Sequence, residues 1–204
     1  MSLPVDASVL PASDTSATSS ASSAASRQGS VPSAVSSSEA SAPSAADLLG
    51  FARRTASDAA LVASLPLDPE GRTWIRLEGP GGSEAWLIGW PPGTGTGWHD
   101  HGGSHGAFAA AAGRLTEQSL AAQLPTEGWK VLELADGIDR QRQLADGQGR
   151  AFGPHHVHQV FNASATEHAV SVHAYYPPLP MMRRYSRVGQ VLRLEQVEWA
   201  QEWA

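Results

Sequence analysis

Apolar and polar residues alternate in short runs along most of the chain after residue 72. Glycine, proline and Asp-Gly pairs separate the runs and indicate turns between them. Each run predicts a β-strand, and the predicted strands cover residues 73–77, 84–90, 113–117, 129–134, 140–144, 157–161 and 169–176. Many short strands at near-regular spacing predict an all-β fold, either an antiparallel barrel or a jelly roll. The mouth of such a barrel is a common ligand site. For residues 191–203, a strand and a helix both stay open.

A helical pattern precedes the strands. Ser44 and Asp47 have the spacing of a capping box, which marks the start of a helix. Apolar residues then recur at near-helical intervals through residues 48–65. Gly50 and the central Ser57-Asp58 pair are the candidate breaks that would divide this segment into two parts. We therefore expect short N-terminal helices that pack against the sheet.

Composition separates the chain into two parts. Residues 1–45 are rich in serine and alanine and poor in large apolar residues, so we expect a disordered N-terminal tail. This tail lacks the apolar core of a secretory signal and has too few arginines for a typical mitochondrial presequence. Residues 46–204 are enough for one domain. No apolar run is long enough to cross a membrane.

Charge and cysteine content exclude several classes of function. The net charge is −6 and no run of Lys and Arg is present, which argues against a nucleic-acid partner. The chain has no cysteine, and so no disulfide, no thiolate metal ligand and no cysteine nucleophile. This fits a cytoplasmic protein.

Two groups of histidines indicate a metal site. His99 and His101 are two residues apart, so in an extended strand their imidazoles share one face and can hold one ion. Asp100 faces the other way and is not expected to be a ligand. The pair alone is equally typical of a polar strand end, but His158, with His156 as an alternative ligand, adds a third imidazole downstream. Three nitrogen ligands with open positions are typical of a catalytic metal site.

Three motifs resemble the cysteine dioxygenase family, whose members are cupins. They are HDHGGSHG at residues 99–106, HQVFNAS at 158–164 and AVSVHAYYPP at 169–178, and the likeness runs from about residue 72 to 182. The resemblance implies a cupin fold, a double-stranded β-helix or jelly roll. It also implies one non-haem Fe(II) per chain, held by His99, His101 and His158. The position of the carboxylate ligand of most cupins holds His105 and Gly106, which matches the three-histidine subgroup.

The resemblance also implies roles for four other residues. Ser171, His173 and Tyr175 alternate along one predicted strand and correspond to the family's hydrogen-bonded relay, with the tyrosine hydroxyl beside the iron. Arg76 corresponds to the arginine that binds the substrate carboxylate, and Arg72 is its rival because the alignment needs a short gap. In vertebrate members the tyrosine is cross-linked to a cysteine. Here Gly106 stands in that position, so no cross-link can form.

The implied activity is that of an oxidoreductase of cysteine metabolism, which oxidises L-cysteine with O2 to cysteine sulfinic acid. One alternative is a dioxygenase for another small thiol such as 3-mercaptopropionate. Others are a zinc or manganese isomerase or hydrolase, and a metal-binding cupin without catalysis. The expected partners are the thiol and O2, with no nucleic acid and no membrane. The family further implies a monomer and a cis peptide before Pro177.

Overall fold

The computed structural model describes residues 41–125 and 127–202. These residues belong to one compact unit, Glu39–Ala204. Residues 1–40, which make up most of the predicted disordered tail, lie outside the described residues. No helix among the described residues has the length and apolar content needed to cross a membrane.

Two short helices open the described part of the chain. Helix α1 spans Ala45–Ala56, and the predicted capping box is present, because Ser44 Oγ accepts a hydrogen bond from Asp47 N and the Asp47 carboxylate accepts one from Ser44 N. Helix α2 spans Ala59–Ser64 and is capped by Asp58. The predicted division at Ser57-Asp58 is therefore confirmed, whereas Gly50 lies within α1 and does not interrupt it.

In the part of the chain that the structure describes, twelve strands follow the helices. They are β1 (Thr73–Glu78), β2 (Glu84–Trp90), β3 (Trp98–His99), β4 (His105–Ala112), β5 (Arg114–Leu120), β6 (Val131–Glu133), β7 (Asp139–Ala145), β8 (Gly149–Phe152), β9 (His158–Phe161), β10 (Ala169–Tyr176), β11 (Met181–Val188) and β12 (Val191–Trp199). The undecided C-terminal segment is mainly a strand, β12. The sequence pattern does not predict β4, β8 or β11, and β11 is rich in charged side chains.

The strands form two antiparallel sheets. One sheet has the order β1-β2-β10-β4-β8, and the other has the order β6-β12-β11-β3-β9-β5-β7. The all-β, antiparallel prediction is confirmed. Two strands carry residues of the candidate site, and each lies between two neighbours. In the first sheet β10 lies between β2 and β4. In the second sheet the two-residue strand β3 lies between β9 and β11.

Strand β10 divides two buried layers because its side chains alternate. Val170 and Val172 face the helices and pack with Ala52 of α1 and Leu87 of β2. Burial of an aliphatic side chain of this size contributes about 1.5–3 kcal/mol, so this layer attaches α1 firmly to the sheet. The intervening residues of β10 point to the opposite face, where they meet the second sheet.

Candidate metal centre

Three buried histidine side chains meet where β3 and β9 pair. His99 ends β3, His158 begins β9, and the two are directly opposite each other in the antiparallel register. His101 follows in the loop after β3. One ring nitrogen from each histidine lies within 4.8 Å of the others. Because metal–imidazole bonds are about 2.0–2.1 Å long, one ion can contact all three rings.

The loop after β3 differs from the sequence prediction, which places His99 and His101 on one strand. Strand β3 ends at His99. Gly102 has a φ of +62° and lies against Met181, where an added Cβ would come within 2.7 Å of the Met181 side chain. This glycine lets the chain turn directly after His101. The two imidazoles still converge, with ring centroids 4.9 Å apart.

The hydrogen bonds of the three rings show that a metal fits the cluster. His99 Nδ1 lies 3.0 Å from the Gly97 carbonyl oxygen, and His158 Nδ1 lies 2.9 Å from Glu117 Oε1, so the Nε2 atom of each ring is free to bind a metal. Both ring nitrogens of His101 are buried without a hydrogen-bond partner among the described residues. Buried polar atoms rarely lack a partner, and a metal ion would supply one here.

The protonation of the three histidines also suits metal binding. Burial lowers the pKa of His158 to about 4, although the hydrogen bond to Glu117 acts in the opposite direction. Burial, with the neighbouring imidazoles, holds the pKa of His99 and His101 well below its ordinary value. All three rings are therefore neutral at pH 7, and neutral imidazole is the form that binds a metal.

Asp100 points away from the cluster, as expected, and holds the loop in place. Its Oδ2 atom accepts hydrogen bonds from Tyr185 Oη at 2.7 Å and from Arg183 Nη1 at 3.0 Å. Its Oδ1 atom accepts one from Gly102 N at 3.0 Å. These contacts fix the backbone between the two flanking histidines.

Glu117 is an acidic neighbour of the cluster that the sequence analysis missed. It lies on β5, its side chain is fully buried, and its Oε1 atom is 2.9 Å from His158 Nδ1. The same oxygen is 3.0 Å from His156 Nε2. The His156 ring is thus turned towards Glu117, and it is not part of the group formed by His99, His101 and His158. Glu117, His156 and His158 form a second group with metal-binding spacing, which shares His158 with the first.

Ser171, His173 and Tyr175 form the expected chain of hydrogen bonds on β10. Ser171 Oγ lies 2.9 Å from His173 Nε2, and His173 Nδ1 lies 3.2 Å from Tyr175 Oη. Burial lowers the pKa of His173 to about 3, so the ring is neutral. Burial and the nearby Glu84 raise the pKa of Tyr175, which keeps its hydroxyl protonated.

A cavity of about 190 Å³ opens beside the cluster. His99, His158, His173 and Tyr175 line it, and apolar side chains of β2, including Trp86 and Ile88, form one wall. Two arginines, Arg72 and Arg184, also line it. The cavity therefore brings metal-binding nitrogens, a tyrosine hydroxyl and cationic groups to one space.

The structure places Arg76 outside this cavity, contrary to its expected role. The Arg76 side chain is 69% exposed and makes a 3.5 Å ion pair with Glu84. Arg72, the rival, lies at the cavity with its guanidinium 5.3 Å from the centre of the Trp90 ring. Both arginines are on the same face of the β1 segment, so their alternation could not separate them. Their positions along β2 do: Arg76 pairs with Trp86, whereas Arg72 precedes β1 and packs on Trp90 at the other end of β2.

The two cavity arginines differ in their partners. Arg184 is held by Glu198, with Nε and Nη2 at 3.0 and 2.9 Å from the same carboxylate oxygen. Arg72 forms no ion pair with any described residue. Burial and the nearby Arg184 lower the pKa of Arg72, but a guanidinium stays charged at neutral pH. Arg72 is thus the cation that remains available to an anionic ligand.

Solved structures similar to this chain include oxalate oxidase in complex with glycolate, at a TM-score of 0.40 and 19% identity over 53% of this chain and 52% of that chain. L-ribose isomerase from Cellulomonas parahominis has a TM-score of 0.39 and 14% identity, over 46% and 49% of the two chains. The Cnp3 cupin domain of Schizosaccharomyces pombe has 0.39 and 10%, over 56% and 65%. The chain thus spans about half the length of the first two.

Sequence comparison identifies the family of this chain. The search of curated proteins gives no match. Residues 17–188, in contrast, match the family described as cysteine dioxygenase type I. The expected cupin fold, a jelly roll with short N-terminal helices, is confirmed. Because the match covers most of its length, the chain belongs to the cysteine dioxygenase type I family.

Proposed function

We propose that this protein is an Fe(II)-dependent thiol dioxygenase that oxidises L-cysteine with O2 to cysteine sulfinic acid. Family membership supports a metal-dependent cupin dioxygenase as the enzyme class. The observation that carries the finer proposal is the shared cavity of His99, His158, Tyr175 and Arg72. One iron ion per chain would be held by the first two of these residues together with His101.

Arg72 is the proposed carboxylate-binding residue, in place of Arg76. A guanidinium binds a carboxylate through two parallel hydrogen bonds, which fixes direction as well as charge. Arg72 has no ion-pair partner within residues 41–125 and 127–202 and packs over Trp90, so its orientation is restricted. Holding the substrate at its carboxylate would orient the thiol towards the three histidines and reduce the entropy lost on the way to the reaction.

Tyr175 is the proposed hydrogen-bond donor to the substrate or to dioxygen. Its hydroxyl lies in the cavity and stays protonated. Ser171 and His173 would act through Tyr175 by holding its oxygen in place. The apolar wall of β2 would keep water out of the site and so strengthen each polar contact.

Ferrous iron, when bound, supplies the redox chemistry for dioxygen and favours the thiolate form of the substrate. The overall reaction is balanced without another oxidant or reductant. The thiol R–SH and one O2 give R–SO2H, with both oxygen atoms bonded to sulfur. Three histidine ligands, instead of three histidines and a carboxylate, leave positions open for the thiol and dioxygen.

One observation favours 3-mercaptopropionate as a second candidate substrate. Among the described residues that line the cavity, two are arginines and none is acidic. An ammonium group would therefore find no carboxylate partner, and a thiol with a carboxylate alone would match the charge of the cavity. L-Cysteine remains the first candidate because its amine can bind the metal.

The proposal is tested with protein loaded anaerobically with Fe(II). L-Cysteine and 3-mercaptopropionate are offered separately, oxygen uptake is followed, and products are identified by mass. A product two oxygen atoms heavier than cysteine, with slower uptake for the other thiol, supports the proposal. The opposite preference would reject the substrate assignment alone. If neither thiol causes uptake although iron is bound stoichiometrically, the dioxygenase proposal is wrong.

We further propose that one cupin domain begins at Ser44, the cap of helix α1, two residues before the predicted boundary at residue 46. The serine-rich segment before it is proposed to be a disordered tail, in a monomeric cytoplasmic protein. The high serine content of the tail and the lack of cysteine support this arrangement. Limited proteolysis should remove the tail and leave the domain and its metal binding intact. Size-exclusion chromatography with light scattering should give the mass of one chain.

A further inference from the structure

We propose that Glu117 is a positioning residue that fixes the orientation and tautomer of His158 and gives it more donor strength than the other two ligands. The inference rests on the proposed metal site and concerns a residue that contacts no substrate. It follows from the hydrogen bonds around a fully buried carboxylate on β5.

The pairing of β5 with β9 brings Glu117 to His158. Glu117 is opposite Val160, and Ser119 is opposite His158, so the glutamate side chain reaches along β9 to the imidazole. Glu117 Oε1 lies 2.9 Å from His158 Nδ1. A carboxylate can only accept a hydrogen bond, so Nδ1 carries the hydrogen. Nε2 is then the unprotonated nitrogen and is free for the metal.

Glu117 is itself held from several sides. Arg150 Nη1 lies 2.5 Å from Oε2, and Arg142 Nε lies 3.3 Å from the same atom. His156 Nε2 lies 3.0 Å from Oε1. Both carboxylate oxygens have partners, so the plane of the carboxylate and the direction of the bond to His158 are fixed.

The three candidate ligands differ in the group that accepts the single N–H hydrogen of the ring, on the nitrogen that does not bind the metal. His158 has a carboxylate, whereas His99 has the neutral carbonyl of Gly97 at 3.0 Å. His101 has no such partner among the described residues. An anionic acceptor raises the basicity of the opposite nitrogen more than a neutral one does. We therefore expect the bond from His158 to the metal to be the most sensitive to its surroundings.

Glu117 is less suited to a direct ligand role. Oε2 is occupied by Arg150 and Arg142, and Oε1 by two histidines, so a cation at Glu117 would have to displace a guanidinium or an imidazole. Burial acts against ionisation of Glu117, but the hydrogen bonds from His156 and His158 and the charge of Arg150 hold its pKa below the ordinary value. The carboxylate charge is thus balanced within this group of side chains.

The first experiment measures Zn(II) affinity by competition with a chromophoric chelator, for wild type, Glu117→Gln and Glu84→Gln. Glutamine keeps an acceptor oxygen and the shape but removes the charge. Glu84 is a matched control because it is also buried and paired with an arginine, and it contacts none of the three histidines. We expect Glu117→Gln to weaken Zn(II) binding about tenfold to a hundredfold and Glu84→Gln to leave it unchanged.

Equal Zn(II) affinity of Glu117→Gln and wild type would overturn the inference and leave the metal site intact. Failure of the wild-type protein to bind Zn(II) would overturn both the inference and the proposed site. The absorption spectrum of the Co(II)-substituted protein gives a second readout, because a change in donor strength shifts the ligand-field bands. A purely structural role of Glu117 would leave these bands in place.

A measurement on the wild-type protein covers the case in which Glu117→Gln does not fold. In Zn(II)-loaded protein with ¹⁵N-labelled histidine, NMR identifies which ring nitrogen of each histidine carries a hydrogen. We expect His158 to be protonated at Nδ1 and bound to the metal through Nε2. Metal binding through Nδ1 would separate His158 from Glu117 and overturn the inference.

Discussion

Trp90 Nε1 donates a 2.8 Å hydrogen bond to Ser171 Oγ in the buried interior. An indole N–H can only donate, so Ser171 accepts there, and its own hydrogen is directed to His173 Nε2. The reverse order would leave a buried serine hydrogen without an acceptor, which costs free energy. His173 Nδ1 then donates to Tyr175 Oη, and the hydrogen of the Tyr175 hydroxyl is left to point into the cavity. Trp90 therefore sets the donor-to-acceptor direction of the whole series of hydrogen bonds from Ser171 to Tyr175.

Replacing Trp90 with phenylalanine should slow thiol oxidation without affecting metal binding. A smaller aromatic ring remains in the buried site, but the donor that directs the series of hydrogen bonds is lost. A neutral hydrogen bond contributes about 0.5–1.5 kcal/mol, which corresponds to about a 2- to 12-fold loss in kcat. Oxygen uptake and Zn(II) titration measure the two effects separately. Trp129→Phe is the control, since it also removes an indole donor. The acceptor of that donor is Pro125 O at 2.7 Å, which takes no part in the hydrogen bonds of Ser171, His173 and Tyr175. Equal losses in both variants would exclude the directing role.

Arg72→Gln should raise the KM for L-cysteine much more than Arg76→Gln. A hydrogen bond to a charged group contributes about 1.5–3 kcal/mol, so we expect an increase of about tenfold to a hundredfold at Arg72. Arg76 is exposed and paired with Glu84 outside the cavity, so its loss should change KM less than about twofold. Steady-state oxygen uptake gives both values. The proposal for Arg72 fails if Arg76→Gln produces the larger effect.

Local spacing predicted the parts of the site that lie close together in sequence. Ser171, His173 and Tyr175 share one strand, so alternation alone placed them on one face. Glu117 could not be found in this way, because the residues it contacts, His156 and His158, are 39 and 41 positions away. In the sequence it resembles any polar residue near the end of a strand. Only the pairing of β5 with β9 shows that it is buried.

The sequence could not decide between Arg72 and Arg76 as the carboxylate-binding residue, for a different reason. Alternation puts both on one face. The resemblance to the family assigns the carboxylate-binding role to one of them only where the alignment is unambiguous, and here it needs a short gap. Their difference comes from how far each lies along β2, which strand pairing decides. Strand β11 was missed because the Arg183-Arg184 pair in its centre breaks apolar alternation. Both arginines are ion-paired, with Asp100 and Glu198 respectively, so they are tolerated within the sheet.

Gly106→Ala should destabilise the protein because no space remains for a side chain. A Cβ at Gly106 would lie 2.7 Å from the Phe152 ring and 2.9 Å from the Ala174 carbonyl oxygen. The backbone atom cannot move without disturbing β10, so we expect a loss of about 1–3 kcal/mol in the free energy of unfolding. Chemical denaturation measures it. Phe152 thus occupies the space that a side chain at position 106 would need.

Gly153→Ala is the matched control, because a Cβ there would meet no atom within 4 Å. It should change the free energy of unfolding by less than about 0.5 kcal/mol. Equal stability of the two alanine variants would show that the strand around Gly106 adjusts freely. In that case the steric argument for a glycine at position 106 would be wrong.

The stability of the metal-free protein should fall in acid partly because of His173. Burial lowers the pKa of this histidine to about 3, whereas in the unfolded chain it is about 6.5. Below pH 6.5 the unfolded state binds a proton that the folded state does not, so stability is complete above pH 6.5 and is lost as the pH falls towards 3. For one such group the loss between pH 6.5 and 5.5 is about 1 kcal/mol.

Urea denaturation of wild type and His173→Gln at several pH values tests this contribution. The variant should be less stable at pH 7.5, because it disturbs the bonds to Ser171 and Tyr175, but its stability should fall less steeply below pH 6.5. The contribution of His173 is given by the difference between the two plots of unfolding free energy against pH, and not by the absolute value of either. Because the other buried histidines titrate equally in both proteins, their contribution cancels. Parallel curves between pH 6.5 and 5 would mean that His173 takes up its proton in the folded state.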